Sequence, residues 1–250
     1  MREFLRNSNW WPNKPAKLNT AHPLYSQRGF TCAAVANMNG GMTDLVTGIT
    51  AIGTGGVVNG VDENGPYVRS STGTGSGTIT FAGIGAGTTG VCFGLIFKHV
   101  DTTRTYMMTI AATNNTGFWM NSANSTANFN IAGGVKSTTP ALVLGHTYFM
   151  VFCNGPASIG QTMVNFCYDI TSGQVLSIYG PAASGNIIPY PINFLVPYTS
   201  LVSNQRIYAG FACGTSGQPG DGTFPADTPP FYSQAALLEA AASPWSLWYA

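Results

Sequence analysis

From Thr31 onward the chain is a succession of short segments rich in Val, Ile, Phe, Tyr and Thr, separated by breaks rich in Gly, Asn and Ser. The segments are about five to ten residues long, which is the usual length of β-strands. In RTYMMTIAAT (104–113) and MVNFCYDIT (163–171), apolar side chains occupy alternate positions, as they do in strands with one buried face. This pattern leaves little room for helices and predicts an all-β fold.

Many short strands with almost no helix predict two antiparallel sheets packed face to face, and 250 residues suit one jelly-roll domain of about 12–14 strands. A barrel is the alternative. VCFGLIFKHV (91–100) is apolar on both faces until Lys98, so we expect it to lie deep between two layers. The ranges 181–204, with four prolines, and 214–230 are predicted surface loops. The predicted strands are 31–38, 45–52, 66–70, 77–82, 90–99, 104–113, 117–121, 127–132, 147–153, 162–170, 174–179 and 205–213.

The final segment, FYSQAALLEAAASPWSLWYA (231–250), carries the clearest helix signal. Ser233 suits the N-cap position before an Ala/Leu run of high helix propensity, and Pro244 prevents the helix from continuing. Leu237, Leu238 and Ala241 would form one apolar face. We expect this helix and the tryptophans after it to pack either on the domain itself or on a neighbouring subunit.

Residues 1–30 are predicted to form an extended N-terminal arm, and residues 31–250 a single sandwich domain. Several prolines exclude a long helix from the arm, and it shows no other secondary-structure signal. An apolar arm without its own structure gains order by lying on a partner. The alternative is that the arm runs along its own domain and closes a sheet edge. The large apolar side chains of the arm are Phe4, Leu5, Trp10 and Trp11.

Charged residues make up only 8% of the chain, about a third of the usual share, and the formal net charge is +1. A surface this neutral favours a protein that packs against other subunits, although a β domain solvated by Thr, Ser and Asn is the alternative. The scattered Lys and Arg residues argue against nucleic-acid binding. No apolar stretch is long enough to span a bilayer, and the charged start lacks the apolar core of a secretory signal. We therefore expect synthesis in the cytoplasm and no membrane partner.

Five widely spaced cysteines, most of them in apolar strand-like runs, indicate small buried side chains that stay reduced in the cytoplasm. A disulfide between subunits, formed after release from the cell, is the alternative. The cysteines are Cys32, Cys92, Cys153, Cys167 and Cys213.

The acidic residues do not suggest an active site. Glycoside hydrolysis needs two carboxylates that face each other across the sugar, and the adjacent pair Asp62 and Glu63 is better explained as a turn in VDENGP. Calcium could use the oxygen atoms of DENG (62–65) or GDGTFPAD (220–227), but turn formation explains both stretches without a metal. No His/Cys cluster suits zinc. We predict neither an enzyme nor a bound cofactor.

Sugar binding is the main alternative to a packing role. Glycan sites on β-sandwiches combine exposed aromatic rings with amide side chains on rim loops. Trp119 and Asn121 in NNTGFWMNSAN (114–124), with Tyr190 in the proline-rich range, are the candidate residues. The competing explanation is that, of Trp119 and its neighbour Phe118, one ring faces the core and the other covers a sheet edge.

The two ends of the chain resemble those of concanavalin A-like (laminin G-like) sandwich proteins of bacteriophages and prophages. ALLEAAASPWSLWYA (236–250) matches their Leu/Ala helix followed by Pro-Trp-x-Leu-aromatic. NTAHPLYSQRGFTCAAVANMNGGMTDLVTG (19–48) follows their His-Pro-Leu, Gly-Gly and Asp-Leu pattern, and NGPYVRS (64–70) occupies the place of their Gly-Pro strand. PPFYSQ (229–234) departs from the Asn-Arg-x-Leu-Ser step usual before the helix.

The resemblance implies a virion protein, most directly a capsid decoration protein that packs against neighbouring subunits. It would be made in the host cytoplasm and would contact capsid or tail proteins and copies of itself. The alternative role is a carbohydrate-binding adhesin, or a tail or fibre component that contacts host glycans. The partner-binding residues expected for the packing role are Phe4, Leu5, Trp10, Trp11, Trp245 and Trp248.

Overall fold

The computed structural model describes residues 15–28, 30–70, 77–81, 91–103, 105–109, 117–121, 125–131, 134–154, 163–177, 192–197, 204–213 and 234–249. These residues form two antiparallel sheets and confirm the predicted all-β sandwich with a short C-terminal helix. The helices are α1 (Pro23–Arg28) and α2 (Gln234–Ala242), and a 3-10 turn follows at Pro244–Leu247. The strands are β1 (Cys32–Ala36), β2 (Gly41–Asp44), β3 (Thr50–Ile52), β4 (Val57–Asp62), β5 (Gly65–Ser70), β6 (Ile79–Phe81), β7 (Val91–Lys98), β8 (Thr105–Thr109), β9 (Gly117–Asn121), β10 (Thr126–Ile131), β11 (Gly134–Thr138), β12 (Thr147–Asn154), β13 (Met163–Asp169), β14 (Gln174–Ser177), β15 (Ile192–Pro197) and β16 (Arg206–Cys213).

The larger sheet has ten strands in the order β14-β13-β12-β7-β16-β1-β2-β3, and the hairpin β4–β5 joins it through β16. The smaller sheet has six strands in the order β11-β10-β9-β8-β15-β6. Strands distant in sequence are neighbours, as where β16 inserts between β1 and β7. The fold therefore combines hairpins of consecutive strands with long-range pairings that join these hairpins into two sheets.

The main core lies between the two sheets. Alternate residues of β7 point into it, where Phe93 packs edge-on against Phe118 from the smaller sheet, with ring centroids 5.0 Å apart. Phe129 and Phe152 complete this aromatic cluster. Alternation along the strands thus supplies a continuous apolar layer from both sheets.

A second core covers the opposite face of the larger sheet. There Cys92 and Ile96 of β7 pack under the terminal elements, among them Leu24 of α1 and Leu237 of α2. The molecule consequently has three layers in its described part, and β7 lies in the middle one. This explains why its sequence is apolar on both faces and confirms the expectation for residues 91–98.

Several sequence-based boundaries were wrong. The range predicted as one strand at 45–52 is turn and strand, because Gly48 adopts φ 74° and reverses the chain between β2 and β3. The predicted loop 181–204 contains β15, in which an uninterrupted apolar run ends at Pro197. β2, β4 and β11 were not predicted at all.

The terminal predictions also need correction. α1 departs from the extended conformation expected for residues 1–30. On α2 the buried face contains Leu237 and Ala241, as expected, but Leu238 is 40% exposed, because the helix turns it away from the sheet.

The cysteines are buried, but Cys92 and Cys153 form a disulfide within the chain, which corrects the expectation that the thiols stay reduced.

Candidate functional site

The two ends of the described chain meet on the outer face of the larger sheet. The Lys17 amide donates to the Trp248 carbonyl and the Asn19 amide to the Leu247 carbonyl, each at 2.9 Å. Lys17 and Tyr249 thereby form a parallel bridge. We call this pairing the terminal seam, and it holds the residues on either side of it close to β1 and β2.

A groove with a volume of about 340 Å³ lies between the terminal seam and the first two strands. Its lining combines apolar side chains with an amide, a hydroxyl and a phenol, and none of the lining residues is charged. Burial raises the pKa of the Tyr249 phenol, so that ring also stays neutral. The groove is lined by Ala16, Val35, Ala36, Asn37, Met38, Thr43, Leu45, Pro66 and Tyr249.

The polar groups of the groove are oriented by hydrogen bonds. The Asn37 side-chain amide donates to Thr43 Oγ1 at 3.2 Å, while its carbonyl oxygen accepts from the Asn39 backbone amide at 2.9 Å. Thr43 Oγ1 also lies 3.0 Å from Thr50 Oγ1. The amide and the hydroxyl are only partly buried, so they can still present hydrogen-bonding groups to a ligand.

Two large apolar side chains, one lining the groove and one on the neighbouring strand β3, are exposed, and we call them the groove rim. Met38 is 66% exposed at the groove itself. Ile52 is 69% exposed, and the register pairs Gly41–Ile52 and Thr43–Thr50 place it on the same side of the sheet as Thr43. Exposed apolar groups of this kind around an uncharged groove are typical of binding surfaces.

By contrast, charged side chains are used to hold the fold together. The Asp62 carboxylate accepts from Arg206 Nη1 at 2.6 Å and from the Tyr208 hydroxyl at 2.8 Å. The neighbouring Glu63 pairs with Lys98, which lowers the pKa of Glu63. We call these contacts the hairpin clasp, because they fasten the turn between β4 and β5 to β7 and β16.

Other carboxylates also serve the chain itself. Of the nine acidic residues, Glu3, Asp221 and Asp227 lie outside the described residues, and five of the remaining six accept hydrogen bonds from their own fold. Asp44, for example, accepts from the Ala33 amide and from the Thr47 hydroxyl. Asp169 accepts from the Thr171 amide and pairs with His146 at 2.7 Å. These bonds position loops and strand ends.

The terminal tryptophans predicted to bind partners lie in the outer layer of the domain. Trp248 is fully buried and faces Phe211, with centroids 6.4 Å apart. Trp245 is half-buried and packs edge-on against Tyr208 at 5.5 Å. In this chain both rings therefore contact its own larger sheet. The other four predicted partner residues, Phe4, Leu5, Trp10 and Trp11, lie outside the described residues.

Trp119, the aromatic residue of the predicted glycan site, is not exposed on a rim loop. Trp119 is only 5% exposed on β9, where it pairs with Tyr106, while Phe118 enters the main core. One of the two rings therefore faces the core, as the competing explanation required, but Trp119 lies on the other face of the smaller sheet and not at a sheet edge, because β9 is an inner strand. Asn121 ends the same strand half-buried, and Tyr190 lies outside the described residues.

The groove was missed by sequence reasoning because its walls come from both ends of the chain and from the turn after β1. ANMNGG (36–41) carried a signal for a turn, but nothing local indicated that Tyr249 would join it.

Two further sequence-based expectations concern metals and membranes. The DENG stretch forms the turn of the hairpin clasp, with the Asn64 amide donating to Asp62 Oδ1, and 220–227 lies outside the described residues. No helix in the described ranges has the length and apolar character of a membrane span.

No protein-family model and no curated protein sequence matches the chain. Its structure is similar to a Trypanosoma rangeli sialidase solved with the inhibitor DANA, with a TM-score of 0.55 and 11% identity. The alignment covers 97% of this chain but only 37% of the sialidase. Lectin II from Ulex europaeus matches 62% of this chain and 89% of its own, with 9% identity and a TM-score of 0.42. At 11% identity, the likeness to part of the sialidase shows a shared fold and no more.

Proposed function

We propose that this chain is a structural component of a bacteriophage particle, a capsid decoration protein that packs against neighbouring subunits and catalyses no reaction. The observation that carries the proposal is the uncharged groove with its exposed apolar rim, Met38 and Ile52. Interfaces that exclude charge from their centre and bury apolar anchors are typical of stable protein assemblies. The resemblance of the chain ends to phage sandwich proteins supports the same role.

The position of the groove suggests how packing occurs. Ala16 lines it, so the first described residues of the chain lie beside it. We propose that Phe4, Leu5, Trp10 and Trp11 contact a capsid or tail neighbour, or another copy of the chain, together with the groove rim. The chain would be made in the host cytoplasm and retained in the virion, and this role requires no cofactor, membrane or nucleic acid.

The absence of turnover is part of the proposal. Five carboxylates of the described residues are bound to amides, hydroxyls or cations of the same chain. A carboxylate engaged in this way stabilises the fold and is poorly placed to act on a sugar. The sialidase likeness does not alter this expectation, because it covers only part of that enzyme.

The test is to purify particles from the host strain that encodes the chain on a density gradient, and to quantify the chain by mass spectrometry. We expect a constant ratio to the major capsid or tail protein across the particle fractions. A chain that stays at the top of the gradient would refute the proposal. Immunogold labelling then distinguishes head from tail.

The groove rim provides the sharper test. The double variant Met38→Ser/Ile52→Ser is expected to lower incorporation about ten-fold, as the loss of central apolar anchors does in other interfaces. Val143→Ser/Leu144→Ser is the matched control, because those side chains are 53% and 54% exposed and lie beside β12, which β7, β16 and β1 separate from β2. Equal incorporation of both variants would exclude the rim as the contact.

A second candidate function is binding of a neutral saccharide, as an adhesin or as a tail or fibre component that contacts host glycans. The groove favours it through its oriented amide and hydroxyl, its neutral phenol and its modest volume, at the small end of ligand pockets. A glycan array with the wild type, Asn37→Ala and Asn121→Ala tests it. Loss of binding only in Asn37→Ala places the site in the groove, loss only in Asn121→Ala places it at the end of β9, and no binding by the wild type excludes this function.

A further inference from the structure

Three of the five cysteines lie side by side across the middle of the larger sheet. Cys92 of β7 is paired in register with Cys153 of β12 on one side and with Cys213 of β16 on the other. All three side chains belong to the outer core under the terminal elements. Cys32 and Cys167 instead point into the main core on the opposite face. Cys92 therefore has one cysteine neighbour on each side.

The ladder places a second disulfide partner within reach of Cys92. Cys92 and Cys153 form the disulfide, and their Cα atoms are 4.1 Å apart, the close spacing of a pair that exchanges no backbone hydrogen bonds. The backbone groups of Cys92 then point towards β16, where the corresponding spacing is about 5.5 Å. That distance falls within the usual Cα range of disulfides, about 4.4–6.8 Å. The Cys213 sulfur already lies 3.5 Å from the Cys92 carbonyl oxygen.

We propose that Cys92 is a shared disulfide partner, and that its bond moves between Cys153 and Cys213 by thiol–disulfide exchange. The Cys213 thiolate attacks Cys92 Sγ, the Cys92–Cys213 bond forms, and the Cys92–Cys153 bond breaks. Cys153 leaves as the thiolate and takes up the proton that Cys213 released. The first bond forms from two thiols with a small disulfide such as oxidised glutathione, which is reduced to two thiol molecules.

The position of the three residues in their strands permits this exchange. Cys92 is the second residue of β7, Cys153 is the last but one of β12, and Cys213 is the last of β16. All three are fully buried in the folded chain. Strand ends open locally at far lower cost than strand centres, so fraying here exposes the sulfur atoms while the rest of the ladder stays paired. The exchange fastens β7 to either of its neighbours.

Disulfide mapping of the full chain tests the proposal. The reduced protein is oxidised with oxidised glutathione at pH 7 and at about 8.5, where an exposed thiol is about half ionised. It is then quenched in acid, alkylated in denaturant, digested and analysed by mass spectrometry. We expect the Cys92–Cys153 peptide at both pH values and the Cys92–Cys213 peptide in addition at the higher pH. A wild type that never contains the Cys92–Cys213 peptide contradicts exchange.

Three variants make the assignment specific, and alanine is used because a buried serine hydroxyl would lack partners. Cys153→Ala should form the Cys92–Cys213 disulfide, and Cys213→Ala only the Cys92–Cys153 disulfide. Cys92→Ala should form neither, because β12 and β16 are separated by β7. Cys32 and Cys167 should be alkylated throughout. If Cys153→Ala retains its circular dichroism spectrum yet keeps Cys92 and Cys213 as thiols, the proposal is wrong, and the wild-type map decides if that variant fails to fold.

Discussion

The hairpin clasp predicts that two adjacent carboxylates differ sharply in their contribution to stability. Asp62→Ala removes the acceptor of a charge-assisted bond from Arg206 and of a bond from the fully buried Tyr208. A bond to a charged group contributes about 1.5–3 kcal/mol, and a buried donor left without an acceptor costs about 1–3 kcal/mol. Arg206 keeps 30% of its side chain exposed, so water replaces part of its loss. We therefore expect the free energy of unfolding to fall by about 2–4 kcal/mol.

Glu63→Ala is the matched control in the same turn. Its partner Lys98 is a similar cation, but the Glu63 side chain is 65% exposed. Exposed ion pairs contribute about 0–1 kcal/mol, so this variant should remain close to the wild type. Urea unfolding followed by circular dichroism, with the disulfide state held constant, measures both. In thermal scans the Asp62 variant should unfold roughly 5–15 °C lower, at about 2–4 °C per kcal/mol.

If Asp62→Ala and Glu63→Ala unfold at the same urea concentration with equal slopes, this prediction is wrong, because the burial of the Asp62 partners would then not determine how much that carboxylate stabilises the fold. The hairpin β4–β5 would then be held by its strand pairing alone.

Three further predictions concern the ends of the chain. Deletion of residues 1–14 should leave a folded domain that no longer joins particles. Deletion of residues 1–20 also removes the terminal seam and should in addition lower the melting temperature. Normal incorporation of the shorter deletion variant would exclude the arm as an anchor. Trp248→Ala should lower the free energy of unfolding by about 3–5 kcal/mol because the ring is fully buried, and the half-buried Trp245 should cost clearly less when replaced by Ala; equal losses in urea titrations would contradict this ranking. Burial lowers the pKa of His22 to about 4, below its unfolded value of about 6.5, so protonation favours the unfolded chain and stability should fall as pH drops through that interval. Between pH 7 and pH 5 the free energy of unfolding of the wild type should fall by about 1–2 kcal/mol more than that of His22→Asn. Parallel pH profiles of stability for the two proteins would refute this prediction.

Many of the strands could be predicted because apolar and polar residues alternate over short stretches of the sequence. β9 and β12 were placed almost to the residue, since their apolar runs are bounded by turn residues. β4 failed because Asn59-Gly60 reads as a turn. In the structure Gly60 lies under the Tyr67 ring, whose hydroxyl oxygen would be 2.3 Å from any added Cβ, so packing from β5 overrides the local signal.

The candidate site was less predictable because it depends on which distant segments meet. Trp119 has the composition of a sugar site around it, yet strand alternation turned its ring onto a sheet face. Tyr249 and Asn37 lie far apart in sequence and line the same groove in the folded chain, where the terminal seam holds Tyr249. The sequence predicted that the tail is a helix followed by anchoring tryptophans. Only the three-layer arrangement showed which surface the tail covers.

The terminal seam also makes a circular permutation of the chain possible. Since residues 17 and 249 are neighbours, a short linker could join the segment near Pro15 to Tyr249 while a new start is opened at the exposed Gly145 turn. Such a circular permutant would keep every strand pairing of both sheets and move its new ends to the turn before β12. Cargo fused there would then sit apart from the groove.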